Sequence, residues 1–506
     1  IKKGCLVLNY TGHGSEILLS AEHAVSKAIV SSWFNTQKLP LFITASCDVA
    51  RFDDDSQRTL GEHLLLEKNG GAIALFSTTR LVFAFSNYVL NKNIYQTLFL
   101  RDSTTGKPLS IGKSFIKAKE LTPNDFNQNK HNFTLLGDPA LRLAIPSYKI
   151  VLDSINGHDA NTFSDTLKAL SINTIQGYVV NEFGIRDDSY NGTLTVRLFD
   201  KSQKIETLGN DGNSTFVFQS YTNILFRGKA QIKNGVFSCS MIVPKDIFYY
   251  PGNGRLSMFC DNSSVQGSGV YTNIPIFGTN TDAVEDNEGP SISIYMNDTL
   301  FETGQETHKN PRLFVRVHDE SGINISNSAI GHDIAIILNN GTTQTHLTLN
   351  DFYIADENTF ASGTIEYPFT DLEPGNYTLT ITVWDTHNNF SEQTIDFHVS
   401  SAEKINISSL INYPNPCKDN TTFRFTHNQA DKEITAIIRI YSMQGALIKT
   451  ITHNTYATGF TDESVFWDGT TDGGGKIQKG MYPYTLSLKT EDGLESIKSQ
   501  KIIVLQ

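Results

Sequence analysis

Two short motifs near the start of the chain each end an apolar run with a side chain that can take part in catalysis. The first is LNYTGHGSE at 8–16, in which His13 lies between two glycines. The second is LFITASCDVARFDD at 41–54, in which Cys47 lies 34 positions beyond His13. A cysteine thiol has an ordinary pKa of about 8.5, and a neighbouring imidazole can shift it toward the nucleophilic thiolate. Together the two residue types indicate a cysteine nucleophile with a histidine base.

The glycine that follows the histidine has a chemical reason of its own. Without a Cβ, Gly14 lets the backbone approach a substrate carbonyl, and its N–H can point to a developing oxyanion. The N–H of Cys47 is the second predicted donor, and one such donor contributes about 3 kcal/mol in the transition state. The reaction class that uses these parts is acyl transfer from an amide through a thioester.

Each motif alone has an ordinary structural interpretation, a turn for Gly-His-Gly and an inert buried thiol for the strand-end cysteine. Their combination favours catalysis, because both would end strands of one βαβ unit. Cys5 precedes its strand and is expected to be inert at the opposite edge, whereas His23 and His63 are expected to be surface or packing residues within helices. The acidic run at 48–55 is interpreted as a solvated loop, with a site for a metal or a basic substrate side chain as the alternative.

Apolar runs alternate with helical periodicity in the first 146 residues, which predicts a mostly parallel sheet with helices on both faces. A helix predicted over 20–37, with Ser20 as N-cap, is long enough to connect the two motif strands. Further helices are predicted within 56–71, ending at Gly70, and within 80–99. Because ligands collect at the carboxyl ends of parallel strands, we expect the histidine and the cysteine side by side at one sheet edge.

After residue 146 the helical periodicity gives way to short alternating stretches separated by turn residues, a pattern typical of β-sandwiches. Turn-rich segments at 279–290 and 400–409 are predicted linkers. We therefore predict a multidomain chain in which a caspase-like α/β segment is followed by about three immunoglobulin-like sandwiches. The predicted boundaries are 1–146 for the α/β segment and 147–280, 281–400 and 401–506 for the sandwiches.

The composition excludes some classes of protein. A net charge of −12 argues against a nucleic-acid partner, and no apolar run approaches the roughly 20 residues that span a bilayer. Five cysteines in 506 residues do not make a disulfide framework. Cys239 and Cys260 lie in predicted strands and either pair or, as we favour, stay buried free thiols. IKKGCLVLNY is typical of a domain interior, so we expect the domain to begin upstream of Ile1. Localisation can therefore not be inferred from a leader sequence.

YTGHGSE and ITASCDVARFD resemble the histidine and cysteine motifs of the gingipain-type cysteine peptidases, family C25 of the caspase-like clan. FTLLGDPALRL at 133–143 is similar to the end of that family's catalytic domain, so the resemblance covers about residues 1–145. It implies a truncated caspase-like domain in which His13 is the general base or acid and Cys47 the nucleophile. It also implies that Gly14 belongs to the oxyanion site.

The resemblance carries over only part of the family's site. The acidic residues that orient the histidine or read the substrate side chain would lie upstream of Ile1. The stretch STTRLVFAF at 77–85 follows the strand after the cysteine, and we expect Thr78, Thr79 and Arg80 to bind substrate there. No cofactor is implied for catalysis; a structural calcium ion stays open, because the sequence does not identify its ligands.

The end of the chain carries a second resemblance. NYPNPCKDNTTFRF at 412–425 and FWDGTTDGGGKIQKGMYPYTLSL at 466–488 resemble the FlgD-like immunoglobulin domain and the C-terminal sorting domains of type IX secretion cargo. The glycines predict tight turns between strands. The alternation of Trp467, Tyr482 and Tyr484 with small or polar residues predicts aromatic side chains that face a sandwich core.

The two resemblances together imply a cell-surface cysteine endopeptidase and transpeptidase, a sortase of the type IX secretion system on the extracellular face of the bacterial outer membrane. Its expected partners are the sorting domains of cargo, outer-membrane secretion subunits and a lipopolysaccharide-linked amine that accepts the acyl group. About 360 residues of predicted sandwich, instead of one short immunoglobulin-like domain and adhesin repeats, favour this over a secreted degradative gingipain-like protease. The third alternative is an adhesion or scaffold protein with a dead catalytic domain, against which the presence of both His13 and Cys47 argues.

Overall fold

The structure is a computed structural model of the chain. The residues that it describes are 4–33, 35–36, 38–210, 214–297, 299, 301–400, 405–429, 432–457, 461–491 and 493–505. They divide into two compact units, of which the first consists of Ile1–Lys149, Val179–Asp187 and Ser263–Ser268. The second consists of Ile150–Tyr178, Asp188–Asn262 and Gly269–Gln506. Among the described residues, no helix has the length and apolar character needed to cross a bilayer.

The first unit alternates strands and helices. Its strands are β1 (Val7–Thr11), β2 (Leu18–Leu19), β3 (Val25–Ser26), β4 (Leu41–Ala45), β5 (Ala74–Thr78) and β6 (Phe133–Leu136). Its α-helices are α1 (Lys27–Ser31), α2 (Leu60–Leu66), α3 (Ala84–Leu98), α4 (Ile111–Leu121) and α5 (Asn127–Asn132), with a 3-10 turn at Asn124–Phe126. The main sheet has the order β1-β4-β5-β6. The first three strands are parallel and β6 is antiparallel to β5, which confirms the mostly parallel sheet.

Both faces of this sheet are covered. Alternate residues of β4 enter different cores, because successive side chains of a strand point to opposite faces. Leu41 and Ile43 pack with Leu90 and Ile94 of α3, whereas Phe42 packs on the other face with the cluster that includes α2. β4 and β5 are buried along their whole length, which explains why their sequences are continuous apolar runs.

The predicted bounds of the helix over 20–37 are wrong. Helix α1 covers only Lys27–Ser31 and starts at Ser26, whose side chain accepts the N–H of Ile29. Ser20 is no N-cap, since it has a φ of 61° and its N–H donates to the carbonyl of His13. The chain after the histidine turns back as the hairpin β2–β3. The predicted end of the helix, Gln37, lies outside the described residues.

The predicted helix within 56–71 is present but shorter. Its N-terminus is a capping box in which Thr59 and Glu62 satisfy each other's backbone N–H groups. Helix α2 ends at Leu66, and the residue with a positive φ is Gly71, at 96°, not Gly70 as predicted. A Cβ on Gly71 would lie 2.0 Å from the Leu64 carbonyl oxygen, so the turn after the helix requires glycine there.

The chain after residue 147 is built almost entirely of strands. Those up to residue 279 are β7 (Tyr148–Ile155), β8 (His158–Asp159), β9 (Leu167–Ala169), β10 (Ile172–Val180), β11 (Gly192–Phe199), β12 (Gln203–Glu206), β13 (Val217–Ser220), β14 (Ile224–Lys233), β15 (Val236–Ile242), β16 (Gly252–Asp261) and β17 (Gln266–Thr279). Those from 291 to 399 are β18 (Ser291–Met296), β19 (Glu306–Thr307), β20 (Arg312–His318), β21 (Ala335–Asn339), β22 (Gln344–Thr348), β23 (Tyr353–Glu357), β24 (Ser362–Pro368), β25 (Gly375–Trp384) and β26 (Phe390–Val399). A 3-10 turn lies at Asn350–Phe352. The multidomain α/β and β-sandwich prediction is thereby confirmed.

The predicted boundaries of the sandwiches stay predictions. Strand pairing continues across residue 280, because β14 pairs in parallel with β23 through Gly228 and Ala355. This pairing lies within a 13-stranded sheet that also contains β18, β20 and β24. The strands β19, β21, β22, β25 and β26 form a separate sheet.

The last part of the chain is a two-sheet sandwich. Its strands are β27 (Ile407–Tyr413), β28 (Thr421–His427), β29 (Lys432–Tyr441), β30 (Leu447–Ala457), β31 (Thr461–Trp467), β32 (Gly480–Thr490) and β33 (Glu495–Val504). One sheet has the order β27-β28-β31 and the other β30-β29-β32-β33. Trp467 and Tyr484 are fully buried in the core and Tyr482 packs against it, as the alternation of aromatic residues predicts.

Candidate active site

The parallel register of β1 and β4 brings the two predicted catalytic residues to the same edge of the sheet. The last paired residues are Thr11 and Ala45. His13 and Cys47 each follow two residues later, so they occupy equivalent positions beyond adjacent strands. The expected common edge is therefore a feature of the structure, whereas the catalytic roles of the two side chains stay predictions.

A side chain next to the cysteine ties the two loops together. The Ser46 hydroxyl donates a hydrogen bond to the Gly12 carbonyl oxygen over 2.9 Å. Gly14 packs against the same serine, since a Cβ on Gly14 would lie 2.1 Å from Ser46 Oγ. A side chain at position 14 would thus push Ser46 out of place. The glycine is required by this close approach.

The backbone of the histidine loop is held by two donors. Tyr10 Oη donates to the His13 carbonyl oxygen over 2.8 Å, and the Ser20 N–H donates to the same oxygen over 3.0 Å. The residue itself is exposed. Its backbone is therefore fixed while the imidazole stays accessible to a substrate.

The hairpin after the histidine leaves the Gly14 N–H available. Gly14 and Leu19 form an antiparallel bridge, but the two hydrogen bonds of this bridge are made by the neighbouring residues: Ser15 donates to Leu18, and Ser20 donates to His13. The N–H of a residue at such a position points away from its partner strand. This geometry supports the prediction that Gly14 donates to an oxyanion.

The cysteine is half-buried, and its thiol lies 3.6 Å from the Val82 carbonyl oxygen, to which it donates. The loop around it is fixed from below by Thr78, whose hydroxyl donates to the Ser46 carbonyl. Directly after the cysteine, Asp48 has a φ of 55°, a conformation that costs a non-glycine residue about 1 kcal/mol or more. Burial and, secondarily, the carboxylate of Glu16 raise the pKa of the Asp48 carboxyl.

The predicted substrate-binding stretch divides into a buried and an exposed part. Thr78 is fully buried beneath the cysteine loop, so its side chain positions that loop. Thr79 is half-buried and is bonded through its N–H to the Asn132 carbonyl. Arg80 is exposed and forms a two-bond ion pair with Asp53. Substrate binding by Thr78, Thr79 and Arg80 stays a prediction.

An exposed apolar surface follows this stretch. Leu81, Phe83, Phe85 and Tyr88 are 68%, 62%, 67% and 58% exposed. Leu81 and Phe83 flank Val82, the residue whose carbonyl oxygen accepts a hydrogen bond from the cysteine thiol. Large apolar side chains grouped on a surface commonly mark a site of interaction.

The backbone beneath this apolar surface is held by two asparagines. Asn129 is buried, accepts the Phe83 N–H over 3.2 Å and donates to the Phe83 carbonyl over 3.0 Å. Asn132 donates to the Leu81 carbonyl over 2.9 Å. The loop is thus fixed by its backbone and presents its side chains outward. Sequence reasoning missed both asparagines, because they lie about 50 residues away in α5.

A third missed residue is Glu16, the last residue of the histidine motif. Its carboxylate accepts from Arg51 over 2.9 Å and from Gln57 over 2.6 Å. Its carbonyl accepts the first N–H of α2, that of Leu60, over 2.7 Å. Glu16 therefore connects the histidine loop to the segment that follows Cys47. The signal was present, since a carboxylate three positions after the histidine needs a partner if it is half-buried.

The acidic run at 48–55 is largely paired within the protein. Asp53 forms an ion pair with Arg80, and the hydrogen bonds that Arg80 donates lower the pKa of the Asp53 carboxyl. Asp54 accepts the N–H and hydroxyl of Ser56, which lower its pKa. These partners favour the loop interpretation over a metal site.

The remaining cysteines and histidines take varied positions. Cys5 is exposed and precedes β1, at the opposite edge from Cys47. His23 was expected within a helix, but it lies in the turn between β2 and β3 with a φ of 57°. His63 does lie in α2. Cys239 and Cys260 are buried and are not joined by a disulfide, and burial raises the pKa of the Cys239 thiol to about 12.

The first part of the chain is similar to a known peptidase family. The model described as peptidase family C25 matches residues 1–144. No curated protein matches the chain. The crystal structure of dimeric latent PorU from Porphyromonas gingivalis is 29% identical and has a TM-score of 0.35, with 85% of this chain and 41% of that chain covered. The chain thus spans less than half of the length of that structure.

Two further solved structures are more distant. The complex of the pro- and mature domains of RgpB from Porphyromonas gingivalis is 17% identical, covers 54% of this chain and 55% of its own, and has a TM-score of 0.26. The fibronectin(III)-like modules of Clostridium thermocellum CbhA are 12% identical, with 43% of this chain and 95% of that chain covered and a TM-score of 0.16. Residues 1–144, which include both motifs, match the model described as peptidase family C25, and this match supports the cysteine peptidase class for that part of the chain.

Proposed function

We propose that this chain carries the catalytic pair of a cell-surface cysteine endopeptidase and transpeptidase, a sortase that removes C-terminal sorting domains from type IX secretion cargo. The observation that carries the proposal is the register of β1 and β4, which places His13 and Cys47 at equivalent positions beyond adjacent strand ends. The family C25 match of residues 1–144 supports the peptidase class.

The first half of the reaction forms a thioester. His13 takes the thiol proton, and Cys47 Sγ attacks the carbonyl carbon of the scissile amide. The oxygen becomes an oxyanion, which the Gly14 and Cys47 N–H groups stabilise. When the tetrahedral intermediate collapses, the C–N bond breaks and His13 returns its proton to the leaving amine. The cargo is then bound to the sulfur as an acyl group, and its sorting domain is released.

The second half decides between hydrolysis and transfer. A water or an amine attacks the thioester carbonyl carbon while His13 takes a proton from this nucleophile. The C–S bond then breaks, and His13 passes the proton to the departing Cys47 sulfur, which regenerates the thiol. Water gives a cargo carboxylate, and an amine gives a new amide. We propose that the amine belongs to lipopolysaccharide, that outer-membrane secretion subunits are partners, and that the enzyme acts on the extracellular face of the outer membrane. No cofactor enters these steps.

The second candidate is a secreted degradative protease of the same family, which would use the same acylation and release the product with water. The strand-rich region of about 360 residues after the peptidase segment favours the sortase, because a degradative enzyme does not need so large a region for its chemistry. A scaffold with a dead catalytic domain is less consistent with the accessible His13 and Cys47.

The test replaces the nucleophile in the cell. Cys47→Ala should abolish release of cargo sorting domains while the protein is still exported and folded. The matched control is Cys5→Ala, since Cys5 is an exposed cysteine at the opposite sheet edge. Normal cargo processing in the Cys47→Ala strain would refute the proposal.

A mass measurement of the processed cargo separates the two protease candidates. A new C-terminus conjugated to an amine indicates transpeptidation, whereas a free carboxylate on all cargo indicates hydrolysis. The second result, together with loss of processing in Cys47→Ala, would keep the peptidase and reject the transfer step.

A further inference from the structure

A group of potential metal ligands lies far from the peptidase segment in the sequence. Asp286 precedes β18, and Asp385 and His387 lie in the turn between β25 and β26. One carboxylate oxygen of each aspartate and one ring nitrogen of the histidine all lie within 4.8 Å of one another. All three residues belong to the second unit.

The imidazole of His387 gives independent evidence for a bound cation. Both ring nitrogens of His387 are shielded from solvent, and neither has a hydrogen-bond partner among the described residues. Leaving such a buried polar group unpaired costs about 1 to 3 kcal/mol. A cation held against one ring nitrogen and the two carboxylate oxygens would satisfy that nitrogen.

The two carboxylates are already oriented by hydrogen bonds. Asp385 is fully buried, and it accepts the N–H groups of His387 and Asn389 over 2.9 Å and 2.8 Å. Asp286 accepts the Glu288 N–H over 3.0 Å and the Ser321 hydroxyl. A carboxylate has about four acceptor positions, so each side chain keeps lone pairs for a metal. Partners of this kind fix ligand orientation in metal sites.

The segments that carry the ligands are also linked to each other. The Asn389 side chain donates to the Asp286 carbonyl over 3.0 Å. The Thr386 N–H donates to Gly322 over 3.0 Å, and its hydroxyl donates to Ser321 over 2.6 Å. The three ligands therefore lie on a scaffold that is held together without the ion, which lowers the ordering cost of binding.

The electrostatics of the group favour a cation. Asp319 is 8% exposed and interacts electrostatically with both Asp286 and Asp385. In the part of the chain that the structure describes, none of these three carboxylates forms an ion pair with a lysine or arginine. Three neighbouring carboxylates without a cationic side chain create a negative potential that a divalent ion reduces.

The donor set indicates which ion. Ca²⁺ and Mg²⁺ take oxygen ligands, whereas imidazole nitrogen together with carboxylate oxygen suits Zn²⁺, with ligand distances of about 2 Å. We propose that Asp286, Asp385 and His387 bind a Zn²⁺-type divalent cation that connects the segment before β18 to the turn between β25 and β26. Water takes the fourth position, as in other sites with three protein ligands.

The experiment titrates ZnCl₂ into the metal-free 506-residue chain with Cys5→Ser and Cys47→Ala, because these thiols are accessible and would compete for zinc. Calorimetry should give one zinc per chain, and zinc should raise the melting temperature. His387→Gln should weaken zinc binding by at least about tenfold, and Asp286→Asn should do the same. The matched control is His346→Gln, since His346 is exposed on β22.

The melting temperature in chelator reports whether each variant folds. The His387→Gln chain should show a cooperative melting transition in chelator, which shows that it folds, and its melting temperature should no longer respond to zinc. CaCl₂ at the same concentration should have no effect on any chain. Zinc binding that is unchanged in both ligand variants would overturn the proposal, as would stabilisation by calcium that survives His387→Gln.

Discussion

The Ser46 hydroxyl donates to the Gly12 carbonyl over 2.9 Å and thereby links the loop of Cys47 to the loop of His13. The two strands beneath are parallel and in register up to Thr11 and Ala45. Among the described residues, the backbone pairing of β1 with β4 ends at that point. The serine bond is therefore the contact that continues the register into the site.

Removing this hydroxyl should lower activity without unfolding the protein. Ser46→Ala loses one hydrogen bond, which contributes about 1 kcal/mol, so we expect kcat/KM for a cargo-derived peptide to fall about five- to tenfold. The control is Ser32→Ala, which removes a comparable bond from a hydroxyl to the Ile29 carbonyl at the end of α1. Equal effects of the two substitutions on kcat/KM would show that the Ser46 bond has no special role in positioning the site.

A methyl group at Gly14 should have a larger effect. Its Cβ would lie 2.1 Å from Ser46 Oγ and 3.1 Å from Ser46 Cβ, so either the serine or the Gly14 N–H must move. We expect Gly14→Ala to reduce kcat by about 100-fold or more, the usual effect of displacing an oxyanion donor.

A double variant tests whether the effect of Gly14→Ala is caused by the steric clash with Ser46. Ser46→Gly removes both close atoms, so Gly14→Ala/Ser46→Gly should recover part of the activity that Gly14→Ala loses. Gly473→Ala is the control, because its Cβ would meet no heavy atom nearer than 3.7 Å. No recovery in the double variant would contradict a steric cause.

The fold of the first unit could be predicted where local sequence determines it. β4 and β5 are buried on both faces, and such strands appear as unbroken apolar runs. The crossover between β1 and β4 was mispredicted, since the apolar spacing after Ser20 suits a helix but the Ser20 N–H bonds to His13 instead. The hydrogen bond to the preceding loop therefore overrides the local helix propensity of this segment.

The candidate site also has one part that the sequence predicts and another that depends on tertiary structure. His13 and Cys47 could be found from residue type and from their places at strand ends. The buried position of Thr78 beneath the cysteine loop depends on the pairing of three strands. The two hydrogen bonds between Asn129 and the Phe83 backbone join residues that are far apart in sequence. Neither can be inferred without the tertiary structure.

The apolar surface beside the cysteine predicts how substrate binds. Phe83 is 62% exposed and its backbone is bonded to Asn129, so Phe83→Ser should leave the melting temperature unchanged. If an apolar part of the substrate covers this ring, KM should rise about tenfold, equal to about 1.4 kcal/mol of lost burial. The control is Phe99→Ser at the end of α3, also an exposed phenylalanine. A KM that does not change would exclude Phe83 from substrate contact.

The last prediction concerns acid stability and the buried His427 in β28. Burial lowers the pKa of this imidazole to about 4, although the Asp462 carboxylate and a hydrogen bond with the Gln429 backbone raise it. Because the folded pKa lies below the ordinary 6.5, the unfolded chain binds the proton first as pH falls. The stability that His427 provides is therefore complete above about pH 6.5 and is lost as pH falls to about 4, by up to about 3 kcal/mol.

Chemical denaturation of the 506-residue chain between pH 4 and 7 measures this dependence. His427→Gln should flatten the free energy of unfolding over that interval, because the glutamine has no titrating group, whereas the exposed His346→Gln should leave the slope as in the parent. A slope that persists unchanged in His427→Gln would assign the acid sensitivity to other groups, since only a residue whose proton affinity differs between the folded and unfolded chain can produce it.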